Sequence, residues 1–330
     1  MSAPATPTVR TPEYGIPHLP VSLFAAVMGL GGTALAWRRA DHVWGLAQWP
    51  SLVFVALAVT VFAVVGTAYI IKGLRWPHTV QAEFRHPIRM AFVPTITIAL
   101  LVLATALQDL ARPVAVVLWW IGAVGHLAAT VWALSSWTVR EDIGVGHITP
   151  AWFIPVVGNI VTPLAAQTIG SVEFAWFAFG VGMIFWVALL PIILYRIVLH
   201  ETPFPPKLRP TYAIFIAPPA VAMLSWQSLT GRLDDPMGRV LYAAVVILAV
   251  LVAAQWPRLR TVPFALPYWA YTFPLAAGAT AAIAVAGALP GVVYDIVAIV
   301  LLTVSTLVSL GVLARTLLAH SRRQVLVPEK

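Results

Sequence analysis

Few residues in this chain of 330 have types and spacing that could do chemistry, and each has an ordinary reading beside the chemical one. His126 stands inside the apolar run "WWIGAVGHLAATVW", where an imidazole could shuttle protons. It falls on a helix assigned below to an outer layer, so a hydrogen-bonded packing histidine is the better reading. Asp109, Glu173 and Asp295 lie near the ends of apolar runs, where helix capping and interfacial solvation are ordinary roles. His78, His86, His147 and His200 fall in loops with no second ligand at metal spacing, so no metal is assigned. Glu141 and Asp142 are sequence neighbours in a loop, a solvated pair rather than a general acid and base. "MGLGG" (Met28 to Gly32) lacks the preceding strand of a dinucleotide fingerprint, and no glycine-rich loop with a lysine is present to cradle phosphate. With no cysteine, thiolate sites and disulfides are excluded. No catalytic set and no cofactor emerges, so an enzyme is not expected.

The elements that carry these residues are membrane helices. Hydrophobic residues make up 60% of the chain and charged ones 10%, against roughly 45 to 50% and roughly 25% in a soluble domain. Continuous apolar runs suffice for spans of roughly 20 residues, and they do not alternate as the strands of a β-barrel would. Charged or proline-rich boundaries predict ten spans: Pro20 to Trp37, Ser51 to Ile71, Ile88 to Gln108, Pro113 to Ser136, Trp152 to Ile169, Val172 to Leu199, Pro210 to Gln227, Arg239 to Ala254, Pro267 to Leu289 and Gly291 to Ala319. They form one transmembrane domain, 20–319, between two short cytoplasmic tails, 1–19, expected to be disordered, and 320–330.

Net charge is +8, which in a soluble protein would raise nucleic acid as a partner. Sorted by alternate sides, Arg38, Arg39, Arg112, Arg232 and Arg239 fall on one side and all other Lys and Arg on the other, together with both termini. The basic excess is therefore a topology signal that puts both termini in the cytoplasm, with no nucleic acid needed. Trp37, Trp49, Trp76, Trp119, Trp137, Trp152, Trp256 and Trp269 fall near predicted span ends, where an amphipathic ring suits the headgroup region.

Prolines separate two classes of span. The odd-numbered spans carry Pro20, Pro94, Pro155 with Pro163, Pro218 with Pro219, and Pro274; among even-numbered ones only the sixth has one, Pro191. The odd spans also concentrate small and weakly polar residues such as Gly29, Asn159 and Thr162. A proline inside a bilayer is tolerable where protein or a water-lined cavity takes over the freed backbone groups. Five helical hairpins follow, with proline-kinked odd helices as an inner ring around a central pore and even helices outside. The expected lining is Ala25, Gly29, Pro94, Pro155, Asn159, Thr162, Pro163, Pro218 and Pro274, a path without formal charge. Bent helices in such a path present N–H groups that attract anions weakly, although exposed carbonyls would equally favour cations. In "YWAYTFPLAAGATAA" a bend at Pro274 would leave Phe273 either as a hydrophobic plug or as a packing residue, and the residues alone leave both open.

Five stretches carry a resemblance: "PVSLFAAVMGLGGTALAWR" (Pro20 to Arg38), "EFRHPIRMAFVP" (Glu83 to Pro94), "ITPAWFIPVVGNIVTPLA" (Ile148 to Ala165), "IAPPAVA" (Ile216 to Ala222) and "YWAYTFPLA" (Tyr268 to Ala276). In order and over nearly the whole chain, they resemble the tellurite-resistance/C4-dicarboxylate transporter family, which includes bacterial TehA and the plant slow-anion channels. The resemblance implies ten helices in five hairpins, a homotrimer with one pore per protomer, and a pore-occluding phenylalanine at Phe273. It places Ala25 opposite that ring, where TehA has a glycine. The plant relatives are switched through long tails, and the short tails here do not support that device. The function expected is an anion channel or channel-like exporter in the plasma (inner) membrane, with chloride, nitrate, sulfite or dicarboxylates as candidate anions. The alternative is a proton-coupled C4-dicarboxylate or sulfite/tellurite transporter, against which the missing ionisable relay argues.

Overall fold

The computed structural model describes residues 14–199, 204–289 and 291–328; Arg10, His200 and Lys330, used above, lie outside the described residues. Among the described residues the chain is helical without strands, and ten helices are long and apolar enough to cross a membrane. They are Val21–Trp44 (span 1), Trp49–Arg75 (span 2), Arg89–Leu107 (span 3), Arg112–Val139 (span 4), Pro150–Ile169 (span 5), Val172–Leu199 (span 6), Pro206–Thr230 (span 7), Pro236–Ala254 (span 8), Leu266–Ala288 (span 9) and Val292–Ser321 (span 10). Span 1 runs past the predicted end at Trp37, carries Arg38 and Arg39 on its last turns, and stops at Gly45, whose left-handed φ of 65° suits a residue without a Cβ.

The odd spans close a ring: span 1 packs on spans 3 and 9, span 3 on 5, span 5 on 7, and span 7 on 9. Each even span lies along the odd span before it and also touches the next odd span, with span 10 completing the circuit from span 9 to span 1. Burial follows: 56 to 83% of the apolar stretch of each odd span is buried, against 22 to 33% in the even spans. Even spans therefore present aliphatic side chains outward, where lipid solvates them at no cost.

The prolines sit differently from the predicted kinks. Spans 1, 3, 7 and 9 each begin as a 3-10 segment and continue as an α-helix. Pro94 immediately precedes the α-helix Thr95–Leu107, Pro218 and Pro219 lie in the first turn of Ala217–Thr230, and Pro274 lies in the first turn of Thr272–Ala288. N–H groups of a first turn are outside the α-helical ladder, so a proline there removes no bond of that ladder. Span 5 is mixed: Pro155 lies in the short α-helix Phe153–Val157, and Pro163 lies inside the 3-10 segment Gly158–Ala165.

Glycines bring span 1 against its neighbours. A Cβ on Gly29 would overlap the Thr272 hydroxyl of span 9, and one on Gly31 would lie 2.6 Å from Val102 Cγ1 of span 3. Residues 14–19, predicted within a disordered tail, are packed. Leu19 is buried, its carbonyl accepts from Lys72 Nζ at 2.8 Å, and Lys72 pairs at 3.1 Å with Glu83 in a buried cluster that Tyr69 completes. Gly15 N–H donates to the Leu326 carbonyl at 2.9 Å, so the two terminal segments meet at one end of the bundle. Trp119 and Trp269, predicted near the headgroups, are fully buried instead.

This packing predicts a contrast between two glycines. Gly29→Ala should destabilise the protein by about 1 to 3 kcal/mol, the usual cost of overpacking, whereas Gly66→Ala in span 2, where a Cβ meets nothing within 4 Å, should be neutral or slightly stabilising. Thermal unfolding midpoints of the two variants in one detergent compare them directly, and equal midpoints would contradict the close approach of spans 1 and 9.

Candidate pore

Two cavities lie inside the ring, and residues of all five odd spans, or residues directly following them, line both. The first, about 80 Å³, lies toward the ends where the odd spans begin and carries no ionisable residue; Ala25, Ile98, Val157, Pro218 and Pro274 are among its walls. The second, about 490 Å³, lies toward the opposite end and contains Arg38, Arg39, His42, Gln108, Asp109 and Gln227. Phe273 and Val221 line both cavities. The two cavities thus share one aromatic and one aliphatic side chain.

Phe273 owes its place to the residues beside it. Thr272 fills the gap over Gly29, and its hydroxyl donates to the Trp269 carbonyl at 2.8 Å, tying the 3-10 segment to the α-helix that follows. The ring then meets Gly32, where a Cβ would lie 3.2 Å from Phe273 Cδ2. Gly32 is thus a small residue against the ring, about two helical turns along span 1 from Ala25, which lines the first, narrower cavity together with Phe273.

Of the predicted lining, Ala25, Pro218, Pro274 and Phe273 face these cavities, and Gly29, Pro94, Pro155, Asn159, Thr162 and Pro163 line neither. Gly29 is occupied by Thr272, and the Pro94 carbonyl accepts from Thr97 Oγ1 at 2.8 Å. The span 5 residues turn toward their neighbours. Thr130 of span 4 donates to the Pro155 carbonyl at 2.7 Å and accepts from Asn159 Nδ2 at 2.7 Å, Trp119 Nε1 donates to the Thr162 carbonyl at 3.0 Å, and Ser228 of span 7 donates to the Pro163 carbonyl at 2.8 Å. A 3-10 stretch with an internal proline leaves carbonyls without α-helical partners, and in lipid other spans must supply the donors. His126 belongs to the same wall: its Nδ1 lies 2.8 Å from Thr97 Oγ1, and its ring fills the space over Gly158.

The charges of the wide cavity correct the expectation of a lumen without formal charge. Arg38 Nη1 pairs with Asp109 Oδ2 at 3.1 Å, and Arg39 Nη2 donates to Gln227 Oε1 at 2.6 Å. The signal was present in the spacing Gly32, Leu35, Arg39, His42, one face of a continuing helix, all lining this cavity. Taking the charges as the end of the span hid it.

Residues 18–317 match the family model described as voltage-dependent anion channel. The chain belongs to that family. It is 26% identical over 306 residues to the S-type anion channel SLAH3 of Arabidopsis thaliana, an alignment covering 91% of this chain and 48% of SLAH3. It is 25% identical over 279 residues to the uncharacterized transporter MJ0762 of Methanocaldococcus jannaschii, covering 77% of this chain and 81% of that protein. Against the tellurite resistance protein TehA homolog of Haemophilus influenzae the identity is 25% over 267 residues, with 81% of each chain covered. The chain thus spans about half the length of the plant relative and about four fifths of the other two.

Because the chain has no cysteine, single cysteines can probe this division without background. A charged thiol reagent added from the side of the wide cavity should modify Thr280→Cys rapidly and Met28→Cys, in the narrow cavity, far more slowly; adding Phe273→Ala should raise the Met28→Cys rate toward that of Thr280→Cys. Equal rates at the two positions with Phe273 intact would show that the cavities are not divided there.

Proposed function

We propose that this chain is a membrane anion channel, or a channel-like exporter, that passes small anions such as chloride, nitrate or sulfite along the lumen of the five-span ring, with Phe273 as its gate. The observation that carries the proposal is the sharing of Phe273, with Val221, by two cavities otherwise lined by different residues. An ion at an apolar constriction loses hydration without gaining a partner, so an aromatic ring at that point stops conduction by dewetting as well as by bulk. The glycine opposite the ring matters for the same reason: Gly32 lets Phe273 lie close to the wall of span 1.

The proposed setting is the plasma (inner) membrane, with both termini cytoplasmic. Support comes from the meeting of the terminal segments and from basic residues such as Arg75, Arg85, Arg140 and Arg209, which belong to the same end in an alternating chain. A homotrimer, implied by the resemblance, is compatible with a ring closed within one chain, since each protomer would then keep its own path.

A coupled carrier of C4-dicarboxylates, sulfite or tellurite is the second reading, and Arg38 and Arg39 favour it by supplying fixed cations near an anion path. The narrow cavity weighs for the channel, because it holds no ionisable group that could relay a proton.

Purified protein in planar bilayers separates the two. With gradients of chloride, nitrate, sulfite and malate, Phe273→Ala should raise anion conductance roughly tenfold or more over the parent, with current that does not depend on a proton gradient. Transport that collapses with an uncoupler would establish the carrier, and unchanged conductance in Phe273→Ala would remove the gate.

A further inference from the structure

The charges of the wide cavity are unequal in a way that points to a particular ligand. Arg38 is neutralised by Asp109 at 3.1 Å. Arg39, by contrast, has no carboxylate partner among the described residues: Gln227 takes one of its N–H donors, and its Nε is enclosed with no acceptor. A guanidinium with spare donors and no counter-charge, in a cavity far larger than a single water, calls for an anion from outside the chain.

We propose that Arg39 is the anion-binding residue of the wide cavity and that the site takes monovalent oxyanions, such as nitrate, in preference to dianions. The planar fork of an arginine matches two oxygens of one anion, which a halide cannot offer. A dicarboxylate would need a second free cation, and the adjacent one is held by Asp109, whose own charge opposes a further carboxylate. The cavity then acts as the antechamber of Phe273, gathering the anion at the mouth of the path. This step rests on the channel reading only for where the anion goes next; binding itself does not require conduction.

Isothermal titration of the purified full-length protein in detergent, with nitrate and with succinate, tests the site. The parent should bind nitrate more tightly than succinate. Arg39→Gln should weaken nitrate roughly tenfold to a hundredfold, the loss expected of a charge-assisted bond pair, and Arg39→Lys, which keeps the charge but not the fork, should fall between. Asp109→Asn, at a carboxylate 65% exposed, should improve succinate binding by releasing Arg38 and leave nitrate near the parental value. Nitrate binding unchanged in folded Arg39→Gln, succinate preferred by the parent, or no gain of succinate in Asp109→Asn would each overturn the proposal. Should Phe273→Ala conduct while nitrate binding ignores Arg39, the site falls and the channel stands; should nitrate bind through Arg39 while Phe273→Ala carries no current, the channel falls and the site stands.

Discussion

The approach of span 1 to span 9 is the constraint on which the lumen depends. Thr272 occupies the space that a side chain at residue 29 would need, and the next residue along span 9 is Phe273. Trp269, buried and donating from Nε1 to Thr316 Oγ1 at 3.0 Å, anchors the preceding turn to span 10. The backbone on both sides of Phe273 is therefore held by packing and hydrogen bonds, and the freedom left to Phe273 lies in its side-chain torsions. Local close packing of this kind has discrete arrangements rather than a compliant wall.

Backbone satisfaction in lipid explains the character of the path. The odd spans contain 3-10 segments, and their loose carbonyls take donors from other spans: Thr130 and Trp119 of span 4 serve span 5, and Ser228 of span 7 does the same. Polar side chains are consumed in this work and turned away from the lumen, so the narrow cavity is left with apolar walls. Electrostatic attraction is supplied elsewhere, by arginines on the last turns of span 1, where the wide cavity leaves room for them. One cavity thus carries charged walls and the other apolar ones, with Phe273 and Val221 lining both.

Much of this was legible in the residues. Apolar run lengths located ten spans, and the alternation of prolines and small residues separated inner from outer helices, because membrane burial and backbone satisfaction act on every residue of a span. The motif around Phe273 marked a residue that lines both cavities. The facing of individual residues was harder to read. Asn159 and Thr162 were expected in the lumen because polarity alone does not say which side of a helix supplies the partner; the Asn159 amide donates to Thr130 of span 4, and the Thr162 backbone carbonyl accepts from Trp119 of the same span. Arg38 and Arg39 were counted as loop charges because a charge ordinarily ends a span; a cavity wide enough to solvate them lets the helix continue to Trp44. The Lys72–Glu83 pair was likewise counted by charge alone, since its burial depends on Leu19 arriving from before span 1 and on Tyr69, one turn before Lys72 in span 2.

The central claim is that ions cross through this lumen and nowhere else. Its most direct test is single-channel recording from a protein carrying both Phe273→Ala and Ala277→Cys, the latter in the wall of the wide cavity, before and after a bulky thiol reagent is applied. Permeation through the ring predicts abrupt loss of the current on modification, while Phe273→Ala without the cysteine is indifferent to the reagent. A current that persists unchanged after complete modification of Ala277→Cys would contradict the account.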